Sequence, residues 1–355
     1  MKKLVFTGGG TAGHVTPNLA IIKEIRHEDF QIDYIGSKNG IEKELIEKTG
    51  IRYHSISSGK LRRYLDFENV KDIFRVLKGC LDARRILKKL KPDLVFSKGG
   101  FVSVPVIIAA STLKIPIYIH ESDLTPGLAN KISQRFATKI FTSFDETKKY
   151  LPASKTEAIG SPIRKEILQG SEDKGRRFLE FHSQLPVLLI MGGSLGARKI
   201  NEAVRNNLDE LTKRYQIVHL CGKGNIDALL ENRRGYRQFE YVHEELADIL
   251  ATTDFVITRG GSNAIFEFVA LEIPMVIIPL SRAQSRGDQI LNAESFQAKG
   301  YSVTLEEEEL TSESLQDHLD MITVKKEEIR RKMREGNQAG ALDKLVAEIR
   351  AIAAK

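Results

Sequence analysis

The 355-residue chain has no tryptophan, two cysteines, ten prolines and only 7% aromatic residues. Cys80 and Cys221 lie far apart, so no disulfide framework and no cysteine-based zinc site is expected. No stretch approaches the roughly 20 consecutive apolar residues of a membrane span. The opening residues run into a strand without the apolar segment of a signal peptide, so a protein of the cytoplasm is expected. There is no low-complexity tract and no closely spaced repeat. GxxxxGK[ST] is not spelled out, and although Gly8–Gly13 fits GxGxxG by letter, no ribose-binding acid follows the second strand, where Ile35-Gly36-Ser37-Lys38 stands. A nicotinamide-dependent oxidoreductase is therefore disfavoured. No Asp-x-Asp pair is available to hold a metal against a diphosphate, so no obligatory bound metal is expected.

What is present is an ordinary soluble composition, 41% hydrophobic and 28% charged, in a chain long enough for two cores. The net charge of +7 is uneven. Residues 1–162 carry 27 Lys+Arg against 17 Asp+Glu, whereas residues 163–355 carry 27 against 30. Most of the excess lies between Lys60 and Lys91, with 11 basic and 4 acidic residues, which suggests an anionic partner. Short apolar strands alternate with helical patterns. Strands are expected at 3–7, 32–35, 93–97, 117–120 and 139–142, and the rhythm restarts after Gly160-Ser161-Pro162 at 187–191, 216–220, 238–242, 254–258 and 274–278. Helices are expected at 17–28, 40–49, 67–90 and 126–136. This is the pattern of two doubly wound parallel α/β domains, linked near 160–165.

Two glycine-rich loops each follow a strand and open a helix: Gly8-Gly9-Gly10-Thr11-Ala12-Gly13-His14 and Gly192-Gly193-Ser194-Leu195-Gly196-Ala197-Arg198. Such a loop either makes a tight turn or brings backbone amides to a phosphate. His14 is a candidate general base, with a reference pKa of about 6.5, or else a helix-capping histidine. Lys98-Gly99-Gly100-Phe101 and His120-Glu121-Ser122-Asp123 end two further strands; Lys98 could meet a diphosphate or lie on the surface. In the second half Arg259-Gly260-Gly261 precedes a helix starting near Ser262. Glu267, a turn further in, can accept hydrogen bonds from both hydroxyls of a ribose. Polar groups around Arg286–Gln289 could reach a sugar. In 67–90, Val70, Ile73, Phe74, Leu77 and Leu81 form a stripe flanked by Lys71, Arg75, Lys78, Arg84, Arg85, Lys88 and Lys89. It reads either as a core-facing helix with a solvated basic side or as a membrane-surface helix.

Taken in order, GGGTAGH at 8–14, KGGFVS at 98–103, His120-Glu121, GSPIR at 160–164, GGSLGAR at 192–198 and RGGSNAIFE at 259–267 resemble the MurG family of peptidoglycan N-acetylglucosaminyltransferases, and GKLRR at 59–63 with HESDLTPG at 120–127 resembles its Gram-positive branch. The resemblance spans nearly the whole chain. It implies a GT-B fold with two Rossmann-like domains facing a central cleft. Residues 1–162 would form the acceptor and membrane-association domain, 163–338 the UDP-GlcNAc domain, and 339–355 a last helix returning to the first domain. It implies inverting transfer of GlcNAc from UDP-GlcNAc to the C4 hydroxyl of MurNAc in undecaprenyl-pyrophosphoryl-MurNAc-pentapeptide (lipid I), forming lipid II.

His14 is expected as base, with Glu121 second. Thr11, Ala12 and Gly13 would meet the donor from the first domain, and Asp123 stands where many members have Asn. Arg164, Ser194, Val242, Ser262, Asn263, Ala264, Ile265, Phe266, Glu267 and Gln289 would contact UDP-GlcNAc. No cofactor is implied. Partners would be UDP-GlcNAc, lipid I, an anionic membrane surface at the cytoplasmic side, and cell-wall synthesis and division proteins, with no nucleic acid. The rival readings are a UDP-GlcNAc 2-epimerase, a diacylglycerol glucosyltransferase, or a non-catalytic nucleotide-sugar-binding protein at the membrane.

Overall fold

The chain forms two compact units, residues 1–162 with 340–355, and residues 163–339. A computed structural model describes residues 1–26, 30–59, 67–193, 196–285, 287–336 and 340–353. Ser194, Leu195 and Arg286, and the basic residues Lys60, Arg62 and Arg63, lie outside the described residues.

The first unit is built on a parallel sheet of seven strands: β1 (Lys2–Thr7), β2 (Phe30–Ser37), β3 (Arg52–Ile56), β4 (Leu94–Ser97), β5 (Ile117–Glu121), β6 (Lys139–Thr142) and β7 (Thr156–Ala158). Their order is β3-β2-β1-β4-β5-β6-β7. Alternation along β1 sends Leu4 and Phe6 to one face and Val5 to the other. The first face packs with Val15 and Ile21 of helix Ala12–Ile25 and with Leu342, Leu345, Val346 and Ile349 of the last helix, Ala341–Ala353. The second packs with Ala83 and Leu87 of helix Phe67–Leu90 and with Val106 and Ile107 of helix Ser103–Thr112. Both faces are covered at the centre of the sheet, which is why β1, β4 and β5 read as nearly continuous apolar runs.

The second unit holds a six-stranded parallel sheet: β8 (Val187–Met191), β9 (Gln216–Leu220), β10 (Tyr236–Phe239), β11 (Phe255–Thr258), β12 (Met275–Ile277) and β13 (Ser302–Thr304). Its order is β10-β9-β8-β11-β12-β13. The strand expected at 238–242 begins and ends earlier, at Tyr236 and Phe239. β3, β13 and the helix Ser103–Thr112 go beyond what the sequence patterning assigns.

In each sheet the strand order reverses once, between β1 and β4 and between β8 and β11, where the strands pair directly. Beyond the carboxyl ends at such a reversal, adjacent loops diverge and leave a ligand-binding crevice. The glycine loops at 8–11 and 98–101 lie at the first reversal, and Gly192, Gly193, Gly196 and the 259–261 turn at the second. The two first-unit loops approach so closely that a Cβ on Gly100 would overlap the Gly9 carbonyl, and Gly100 has φ +84°. Only glycine meets both conditions.

Candidate active site

In the first unit, His14 sits in the opening turn of helix Ala12–Ile25, half-buried, with Nδ1 3.1 Å from Thr11 Oγ1. Burial lowers its pKa from 6.5. The negative charges of Asp123 and Glu42 and a hydrogen bond to the Gly9 backbone oppose the shift, while the positive charge of Lys98 adds to it. The imidazole is therefore held neutral at pH 7, as a proton acceptor must be. Asp123 acts on this ring as an electrostatic neighbour.

Lys98 is buried, at 2% exposure, and lies on neither the surface nor an open anion site. Its Nζ reaches His120 Nδ1 at 2.6 Å and Ser122 Oγ at 2.5 Å. Burial pulls its pKa down to about 7, against the nearby charges of Glu121 and Asp123. His120 is wholly buried and its pKa is driven well below 6.5 by burial and by Lys98. The neutral ring donates from Nε2 to the Gly160 carbonyl at 3.1 Å and accepts from Lys98 at Nδ1. Sequence alone allowed Lys98 to meet a diphosphate; the fold uses it instead as an internal strut.

Glu121, second candidate for the base, is 5% exposed and clamps its own loop. Oε1 accepts from the Asp123 amide at 3.0 Å, and Oε2 accepts from the Gly127 amide at 3.0 Å and Asn130 Nδ2 at 2.8 Å. Burial and Asp123 push its pKa up to about 7. With both oxygens committed, Glu121 shapes the segment carrying Asp123. The Asn130 clamp is not visible from spacing, because it comes from a different helix, Leu128–Ser133. Thr11 is exposed and Ala12 and Gly13 are partly so, at the start of the His14 helix.

In the second unit, helix Ser262–Ala270 begins after Gly260-Gly261, directly beyond β11. Its first residues divide by burial. Asn263, Ala264, Phe266 and Glu267 are partly accessible, whereas the Ile265 side chain is wholly buried and the Ser262 side chain nearly so. A donor contact at Ile265 is thus confined to backbone atoms. Phe266 packs edge-on to Phe296, ring centroids 5.1 Å apart. Burial raises the Glu267 pKa, and Arg164 opposes that rise from across the same unit.

Gln289, in the first turn of helix Asp288–Ala298, accepts at Oε1 from the Gly260 amide at 3.2 Å and the Leu280 amide at 3.0 Å. It ties two loops at the β11 and β12 ends while lying beside the Gly260 turn. Val242 follows β10 by three residues and is partly accessible. Arg259 is 8% exposed; it donates to the Ile278 carbonyl at 3.1 Å and pairs with buried Glu307, so it braces the loops from behind.

Each unit thus presents loops and a helix start at a sheet reversal, one carrying a neutral histidine and the other a partly accessible carboxylate with its arginine. The glycosyltransferase family 28 N-terminal domain model matches residues 4–142, and the glycosyltransferase family 28 C-terminal domain model matches residues 187–346. The chain therefore has the build of a family 28 glycosyltransferase with the GT-B fold.

Relatives narrow this further. The chain is 58% identical over 349 residues to a Bacillus cereus protein named UDP-N-acetylglucosamine–N-acetylmuramyl-(pentapeptide) pyrophosphoryl-undecaprenol N-acetylglucosamine transferase 2, covering 98% of this chain and 99% of that one. It is 62% identical over 319 residues to the transferase of that name from Shouchella clausii, covering 90% of each. The crystal structure of Acinetobacter baumannii MurG superposes with a TM-score of 0.79 at 26% identity, covering 99% of this chain and all of that one. The UDP-GlcNAc 2-epimerase of Neisseria meningitidis, at 14% identity and a TM-score of 0.67 over 98% of this chain and 99% of that one, shares the fold. The chain belongs to the MurG family of N-acetylglucosaminyltransferases.

Proposed function

We propose that this chain transfers N-acetylglucosamine from UDP-GlcNAc to the C4 hydroxyl of MurNAc in lipid I, forming lipid II for peptidoglycan. The carrying observation is 58% identity, over nearly the full length of both chains, to a transferase named for that donor and acceptor. The epimerase likeness, at 14% identity, extends to fold only. A non-catalytic binding protein would have no use for a neutral imidazole at the sheet reversal.

In this reading His14 is the base. His14 Nδ1 lies 3.1 Å from Thr11 Oγ1, and in the tautomer protonated at Nδ1 the Nε2 lone pair takes the C4 hydroxyl proton. The hydroxyl oxygen forms a bond to the anomeric carbon as the bond from that carbon to the diphosphate oxygen breaks. UDP leaves with the electron pair, and the configuration inverts. Charge growing on the diphosphate is met by amides at the Ser262 helix start, by its dipole and by the Arg164 guanidinium. Glu267 holds the ribose. On the second unit Val242, Asn263, Ala264, Phe266, Gln289 and the Ile265 backbone hold the donor, and on the first Thr11, Ala12 and Gly13 line the start of the His14 helix. The acceptor domain is residues 1–162 and the donor domain 163–338.

We further assign membrane association to helix Phe67–Leu90. Gly79, Ala83, Leu87 and Leu90 turn inward, whereas Ile73, Phe74, Leu77 and Leu81 are 53–67% exposed. Arg75, Lys78, Arg85, Lys88 and Lys89 are also exposed on this helix. The helix thus has two apolar faces, and the outer one is unsatisfied in water but suits a lipid surface with anionic headgroups. No helix among the described residues is long and apolar enough to cross a membrane. The protein would sit peripherally on the cytoplasmic side.

Incubation of the purified chain with labelled UDP-GlcNAc and lipid I tests the activity. Label should move to the lipid product. Formation of an epimerised nucleotide sugar without acceptor, or no transfer at all, would overturn the reading.

A further inference from the structure

The chain's own sequence supplies an anion beneath the first glycine loop. Glu42, at the start of helix Ile41–Glu47, is wholly buried. Oε2 accepts from the Gly10 amide at 3.1 Å. Oε1 accepts from the Ser37 amide at 3.0 Å and from the Ser37 hydroxyl. Its carboxylate fills space kept by glycines: a Cβ on Gly9 or on Gly40 would overlap it, and one on Gly36 would crowd Glu42 Cγ at 2.9 Å. Tyr34 and Asn18 fasten the same loop below. Tyr34 Oη donates to the Gly8 carbonyl at 2.7 Å, and Asn18 Nδ2 donates to the Thr7 carbonyl at 3.1 Å.

The Gly10 amide, a donor of the kind that binds phosphate in nucleotide-binding glycine loops, is instead spent on the Glu42 carboxylate. Its charge also repels a second anion there. The loop is therefore a rigid turn whose shape is set from inside, and what it carries is His14.

We propose that Glu42 is a positioning residue for the transfer reaction. It fixes the 8–11 loop so that the His14 imidazole stays in place. This rests on His14 being the base. Three charged groups face the ring: Glu42 from helix Ile41–Glu47, Asp123 from the segment after β5, and Lys98 from the end of β4. Glu42 and Asp123 raise its pKa and Lys98 lowers it.

The test is Glu42→Gln, which keeps the size but removes the charge and one acceptor. Gly10 amide exchange should speed up by tenfold or more. Turnover with UDP-GlcNAc and lipid I should fall at least tenfold, with KM for UDP-GlcNAc within twofold of wild type. The acid limb of the kcat profile should move to lower pH. Gly9→Ala, which presses on the same carboxylate from the loop side, should repeat the exchange and turnover effects if Glu42→Gln does not fold. Unchanged Gly10 exchange, or unchanged kcat with an unmoved acid limb, would overturn the proposal. His14→Ala distinguishes the two levels: near-normal turnover there defeats the base assignment, while Gly10 exchange reports on Glu42 independently.

Discussion

Arg164 grips Glu267 with hydrogen bonds from Nε and Nη2 to Oε1 at 3.2 and 3.1 Å, and from Nη2 to Oε2 at 3.3 Å. The carboxylate stands 1.5 turns into its helix, too deep for a simple cap, and its guanidinium partner precedes it by 103 residues. Hydrogen bonds to charged groups contribute about 1.5–3 kcal/mol. Glu267→Gln should therefore weaken UDP binding roughly 10- to 100-fold, that energy expressed as affinity. Titration calorimetry with UDP reads this directly. A change of less than twofold would remove Glu267 from ribose recognition.

Replacing the imidazole tests the chemistry. His14→Ala should lower kcat by about 10²–10⁴, the usual contribution of a positioned base, with a smaller change in donor KM. Wild-type kcat should decline as pH falls through a value below 6.5, since burial lowers this pKa. The variant's profile should lack that limb.

Membrane contact calls for a lipid measurement. Phe74→Ser with Leu77→Ser should reduce flotation on vesicles containing anionic lipid. Lys78→Gln with Arg85→Gln should reduce it by roughly 1 kcal/mol per residue, about fivefold each. Added salt should weaken wild-type binding. Binding indifferent to salt, lipid charge and all four substitutions would dismiss this helix face.

Lys98 makes a prediction about stability. Its pKa is about 7 in the fold against an ordinary 10.5. Between those values the unfolded chain binds more protons than the native one, so this group makes stability rise with pH. Below pH 7 the folded protein carries the full cost of charging the buried amine. Lys98→Met should remove this contribution, so the difference in stability between variant and wild type should shrink as pH climbs from 7 to 10. Denaturant titrations at several pH values decide it; a constant difference would show that Lys98 does not titrate as proposed.

Much of the fold was legible because strand and glycine-turn signals are local. β4, β5, β6, β8, β9, β11 and β12 fall within a residue or so of their apolar runs. β3 was missed because Arg-Tyr-His-Ser-Ile is polar and pairs with β2 alone at the sheet edge. β13 has three residues, too few to show alternation. Helix Ser103–Thr112 contains Pro105 and a β-branched run, and it is held by packing rather than by propensity.

The site divides along the same line. Sequence by itself placed two glycine turns at strand ends, put His14 and Glu267 on the helices that follow, and concentrated basic charge in the first unit. It could not say that Lys98 is buried, that Glu42 lies beneath Gly9 and Gly10, that Arg164 meets Glu267, or which face of helix Phe67–Leu90 is bare. Each of those depends on tertiary packing, which sets β1 beside β2 and β4 beside β5 and brings together side chains tens of residues apart. Local pattern fixes direction along one element; only packing determines what stands opposite.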